Sequence, residues 1–83
     1  MTYKVYFSDH DLKQIKKLDP EVQERMLCVL ERILYRPHHF VRKLAGRLGY
    51  RLRVGDYRLL LEIDDKEFAI HVNELGYRSS VYR

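Results

Sequence analysis

Between Tyr50 and Ile63 the apolar residues switch from a helical period to a period of two, and this stretch constrains the fold more tightly than any other. Tyr50-Arg-Leu-Arg-Val54 alternates strictly, Gly55-Asp56 reads as a two-residue turn, and Tyr57-Arg-Leu-Leu-Leu-Glu-Ile63 leads back. In that register Val54 faces Tyr57 and Arg53 lies opposite Arg58. Tyr50, Leu52 and Val54 then share a face with Tyr57, Leu59, Leu61 and Ile63, which is expected to lie under helices. Arg51, Arg53 and Arg58 fall together on the other face. Like charges directly opposed across two strands are unfavourable, and an anion held between them reverses the sign of that effect. Arginine suits such a task, because its planar fork contacts phosphate bidentately and stays charged at any relevant pH. The same residues also read as the solvated face of an amphipathic hairpin. Asp56, Glu62, Asp64 and Glu74 lie close in sequence, so local charge does not choose between the two readings. The gathering of arginines on one face favours anion binding.

The rest of the chain supplies what covers the other face. Tyr3 to Phe7 is rich in β-formers and reads as a first strand. Ser8 follows as an N-cap, with Asp9 and Asp11 in the first turn, where carboxylates complement the helix dipole. Leu12, Ile15 and Leu18 form the buried stripe of that short helix. Asp19-Pro20-Glu21 is a stop and a restart, with Pro20 at the first helical position, where its missing N–H costs nothing. The second helix is expected to bury Val22, Met26, Leu30, Ile33 and Leu34 and to end at Arg36-Pro37. His38 to Gly49 reads as a loop. Beyond the hairpin come a turn at Asp64-Asp65-Lys66, a strand from Glu67 to Asn73, and a tail from Tyr77 to Arg83 punctuated by Gly76. The expected fold is α+β: an N-terminal strand, two helices, then a three-stranded antiparallel meander, forming one sheet with helices on one face.

Eighty-three residues are expected to form one domain, 1–83. With 46% hydrophobic and 34% charged residues the composition is that of a globular chain. The formal charge of +4 suits a polyanionic partner but is common among ordinary proteins. No apolar run approaches the ~20 residues that span a bilayer. The N-terminus enters the first strand directly, so no signal peptide and a cytoplasmic location are expected.

Cys28 sits in an apolar-periodic stretch and is expected to be a small core residue. His38-His39 reads as a solvated loop pair, since adjacent histidines without further ligands hold a metal poorly. His71 alternates with Ala69 and Asn73, opposite Phe68, Ile70 and Val72, and is expected on the arginine face. His10 completes the set of groups that titrate near neutrality. Arg78 and Tyr82 flank the tail, and a tail crossing the sheet would bring a fourth guanidinium and a phenol to the same anion. Alternatively, Tyr82 is a terminal anchor packed on the sheet.

Lys43-Leu44-x-Gly46, Tyr50-Arg-Leu-Arg-Val-Gly-Asp-Tyr-Arg58, Gly76-Tyr-Arg78 and Val81-Tyr82 together resemble the RelE toxins of the RelE/ParE superfamily. The resemblance covers essentially the whole chain, and its most specific part is the hairpin with the late Arg and Tyr. It implies the toxin of a toxin–antitoxin module that enters the ribosomal A site and cleaves mRNA with neither metal nor cofactor. In that chemistry the mRNA 2′-hydroxyl attacks the adjacent phosphorus, leaving a 2′,3′-cyclic phosphate and a free 5′-hydroxyl. The implied site residues are Arg51, Arg53, Arg58, Arg78 and Tyr82. Arg58 and Arg78 would stabilise the phosphorane, Arg51 and Arg53 would hold the flanking backbone, and Tyr82 would stack on a base or fix the scissile geometry. The implied partners are a RelB-like antitoxin, the ribosome and mRNA, with no membrane.

Two departures bear on mechanism. Several family members carry lysines where Arg51 and Arg53 stand, and arginine, with a pKa above ~12, is a poor proton acceptor. A lysine-type base role therefore does not transfer, and His71 is the residue nearest to a substitute by strand alternation. Some relatives also carry a C-terminal helix that their antitoxin displaces. Here the sequence ends one residue after Tyr82, so the antitoxin is expected to cover the arginines or to block ribosome entry by bulk. Two other readings stay open: a non-enzymatic ParE-like toxin acting on gyrase or another protein, and a degenerate member that only binds its antitoxin.

Overall fold

A computed structural model describes residues 2–77. Its elements are β1 (Lys4–Phe7), α1 (Asp9–Lys16), α2 (Pro20–Ile33), α3 (Pro37–Phe40), β2 (Arg42–Lys43), β3 (Tyr50–Val54), β4 (Tyr57–Asp64) and β5 (Ala69–Tyr77). The strands form one mixed sheet in the order β1-β5-β4-β3-β2. The antiparallel meander expected from the sequence is its centre, and β1 returns beside β5 in parallel, from Lys4 with Ala69 to Phe7 with Val72.

Local signals set most element boundaries. The Asp11 N–H donates to Ser8 Oγ at 3.1 Å, closing the cap of α1. Pro20 opens α2, and the Gln23 amide donates to the carbonyls of Leu18 at 2.8 Å and Lys16 at 3.2 Å, fixing the corner between the helices. At the hairpin turn Gly55 has φ +59°, a left-handed conformation that side chains resist. A Cβ there would also lie 3.1 Å from Arg25 Nη1 of α2.

The core lies between α2 and the sheet. Met26, Leu30 and Ile33 pack with Leu52, Val54, Leu59, Leu61, Ile70, Val72 and Leu75. Each such side chain contributes about 1.5–3 kcal/mol when fully buried, so the helix-side face carries most of the fold's stabilisation. A register shift helps to complete it. Leu60 pairs with Glu74 but Leu61 pairs with Val72, leaving Asn73 as an extra residue on β5. Because side chains alternate strictly along a strand, that bulge is what brings Leu75 to the core face together with Val72 and Ile70.

The structure corrects several expectations. The segment after α2 is not a plain loop: Pro37–Phe40 makes one helical turn, and Arg42–Lys43 adds a fifth strand beside β3. The last strand begins at Ala69 rather than Glu67 and runs through Gly76 to Tyr77. Phe68 lies outside it with φ +52°. Leu12 is exposed rather than buried. Cys28 is exposed too; at about 100° per residue it sits roughly 200° around α2 from both Met26 and Leu30, pointing away from the sheet. Asp11 stands in the first turn of α1 as expected and is buried there, with its Oδ2 lacking a hydrogen-bond partner. No described helix is long and apolar enough to cross a membrane.

Candidate nucleic-acid interface

The face of the sheet turned away from α2 carries the arginines. The register sets Arg53 directly opposite Arg58, and Arg51 opposite both Leu60 on β4 and Arg42 on β2. Side chains opposed in this way start about 4.5–5.5 Å apart at Cβ. Three strands thus bring four guanidinium groups together, and the fourth comes from Arg42, a residue outside the set named from the sequence. With Phe40 they line a cleft of about 240 Å³. Across β4 from this cleft Gly76 pairs with Arg58, adding no side chain beside it.

One neighbouring feature extends the basic surface. A second hollow of about 330 Å³ is lined by Lys43, Leu44, Ala45, Arg47 and Arg51, and so joins the first through Arg51. Leu60 is buried although it lies on the arginine face, between Arg51 on β3 and Glu74 on β5. A larger hollow of about 680 Å³ lies toward the other end of the sheet, but on its wall Glu62, Asp64 and Asp65 outnumber Lys43 and Lys66. Carboxylates repel phosphate, so size does not make it the better anion site.

His71 occupies the arginine face, paired with Glu62 and stacked on Tyr6 with ring centroids 5.2 Å apart. Glu62 lies about 13 Å along β4 from Arg58, so His71 does not line the arginine cleft. His38 is committed elsewhere. Its Nε2 lies 2.9 and 3.1 Å from the two oxygens of Asp65, and since a carboxylate only accepts, Nε2 carries the proton. The Tyr3 hydroxyl donates to Asp65 Oδ1 at 2.7 Å. These bonds, Tyr3 first and His38 second, hold the Asp65 carboxyl below its ordinary range, while the carboxylate raises the Tyr3 phenol. Among the described residues lining the arginine cleft, none is a carboxylate or a histidine.

Arg51, Arg53 and Arg58 therefore come together as expected, while Arg78 and Tyr82 lie outside the described residues. Arg42 and Phe40 were missed because a two-residue strand carries no readable period. The Arg42-Lys43 dipeptide ahead of Gly46 and Gly49 was the available signal, and it pointed to charge but not to pairing.

Comparison with known proteins gives this geometry a context. No protein-family model matches the chain. A RelE-like toxin protein of Escherichia coli is 32% identical over 87 aligned positions, covering 99% of this chain and 92% of that protein. The toxin in the RelE–RelB complex of Pyrococcus horikoshii superposes with a TM-score of 0.83 at 30% identity, covering 96% of this chain and 99% of that one. The isolated RelE toxin of E. coli superposes at 0.79 with 29% identity, over 96% and 90% of the two chains. The toxin–antitoxin complex RelBE2 of Mycobacterium tuberculosis gives 0.76 at 25% identity, over 94% and 100%. With sequence identity sustained over nearly both full lengths and close superposition of the backbones, the chain belongs to the RelE-like toxin family.

Proposed function

We propose that this protein is the toxin of a type II toxin–antitoxin module and an mRNA endoribonuclease that works on the ribosome. The observation that carries this reading is the convergence of Arg42, Arg51, Arg53 and Arg58 on one cleft, in a chain of the RelE-like family. The mRNA 2′-oxygen forms a bond to phosphorus as the P–O5′ bond breaks. The proton leaves the 2′-hydroxyl, another reaches O5′, and the products are a 2′,3′-cyclic phosphate and a 5′-hydroxyl. Arg58 stabilises the charge that builds on the phosphorane oxygens, which is the term arginines supply in phosphoryl transfer. Arg51 and Arg53 hold the flanking backbone for in-line attack, and Arg78 and Tyr82 complete the site as the family resemblance implies.

Proton transfer is the step that this arrangement treats differently. An arginine is a poor base, so the rate rests on charge stabilisation and alignment, with the 2′-proton passing to solvent or to a group of the ribosome. The partner that restrains the toxin is a RelB-like antitoxin. Relatives from P. horikoshii and M. tuberculosis are known in such complexes, and an apolar groove of about 470 Å³ between β1 and α2, walled by Val5, Phe7, Leu27, Leu30 and Leu34, suits an amphipathic segment.

The test is a translation reaction with purified toxin, mapping transcript ends on ribosome-bound and free mRNA. Cuts confined to the A-site codon of bound mRNA, lost in Arg58→Ala, are expected. Toxicity without cut mRNA would replace this reading by a ParE-like action on a protein.

A further inference from the structure

We infer that Phe40 is a stacking platform for the nucleobase beside the phosphate that the arginines hold. This rests on the reading of the cleft as an mRNA site. Phe40 is the last residue of α3 and stays 41% exposed, a large apolar ring left at the surface rather than packed in the core. It is also the non-basic wall of the cleft formed by Arg42, Arg51, Arg53 and Arg58. His39 meets it edge-to-face, with centroids 5.0 Å apart and planes at 85°, which leaves the ring buttressed from its neighbour in sequence.

An aromatic ring beside phosphate-binding guanidinium groups is the two-part arrangement that single strands require. Phosphates satisfy the arginines, and an unstacked base covers the ring. A duplex keeps its base faces covered by one another, so only a strand with a splayed base can use both parts. The topology says which side that base comes from. Arg42 stands opposite Arg51 on the edge strand β2, and Phe40 precedes β2 in the chain, so the base lies on the β2 side of a phosphate bound between Arg53 and Arg58. Stacking does not read hydrogen-bonding edges, so Phe40 confers a preference for the larger purine face rather than for one base.

The experiment measures toxin binding to ribosomes programmed with mRNA whose A-site codon carries 2′-methoxy groups, which remove the attacking hydroxyl. At each codon position in turn the base is either adenine or absent. For the wild-type protein, loss of the base at one position weakens binding about tenfold. Phe40→Ala and Phe40→Leu bind both forms alike, the leucine variant keeping apolar bulk without a π-face, while Phe40→Trp restores the difference and its fluorescence is quenched on binding. Undiminished base dependence in Phe40→Ala overturns the inference, as does a loss of antitoxin affinity with base dependence retained, which would assign the ring to a protein contact. Failure of the wild-type protein to bind programmed ribosomes overturns the mRNA reading itself, and this inference with it.

Discussion

The two ends of the β3–β4 hairpin treat charge in opposite ways. Near the Gly55-Asp56 turn, Arg53 faces Arg58 across the strands and Arg51 faces Arg42. At the far end, the Asp65 carboxylate receives the Tyr3 hydroxyl and the His38 ring, and Tyr50 meets His38 edge-to-face with centroids 5.3 Å apart. One end concentrates like charge that a polyanion would neutralise. The other closes its polar groups on one another, tying the chain start, α3 and the β4–β5 turn together. The same sheet thus separates a surface where guanidinium groups gather from one where polar groups bind one another.

The largest effect should come from the ligand end. Arg58→Ala is expected to lower ribosome-dependent cleavage by about 100- to 1,000-fold, with cooperative thermal unfolding retained; full cleavage by this variant would remove the site from the hairpin. Arg42→Ala tests whether the residue found only in the structure belongs to the same surface. It should weaken binding to a single-stranded RNA several-fold and flatten the logarithmic salt dependence by about 0.7. An unchanged slope would mean that no phosphate reaches β2.

Arg53→Glu reverses the charge of one member of the cross-strand pair. It turns a like-charged cross-strand pair into an opposite one, so denaturant unfolding should register a gain of about 0.5 kcal/mol while RNA binding falls. A loss of stability would show that the opposed arginines cost the free protein nothing.

The smallest effect belongs to the clasp. Asp65 is held below its ordinary pKa of 3.8 in the folded state, so its contribution is present above that value and fades as pH falls through the folded one. Because the pair is exposed and screened, Asp65→Asn should lower the unfolding midpoint by only about 2 °C at pH 7. That gap should close in acid, and a gap that persists at pH 2 would mean the carboxylate's charge is irrelevant there.

Much of this was readable from residues in order. The N-cap at Ser8, the restart at Pro20, the Met26–Leu30–Ile33 stripe and the hairpin register are short-range consequences of residue type and period. They survive folding because each involves neighbours within a turn or across a two-residue loop. The face of an isolated helical residue was less legible. Cys28 and Leu27 belong to an apolar stretch, yet the sheet covers α2 on one side only and both are exposed. Asp11 illustrates the reverse: its sequence marks a helix start, and packing buries it.

The Tyr50–Ile63 alternation by itself determined the hairpin, its turn and the shared face of Arg51, Arg53 and Arg58, because a period of two fixes sides without reference to anything distant. Only the tertiary structure decided that Arg42 and Phe40 join them, that His71 stands on their face yet outside their cleft, and that His38 serves Asp65. Those placements depend on which strand lies beside which. The two residues of β2 acquire a side only when β3 is already there to pair with them.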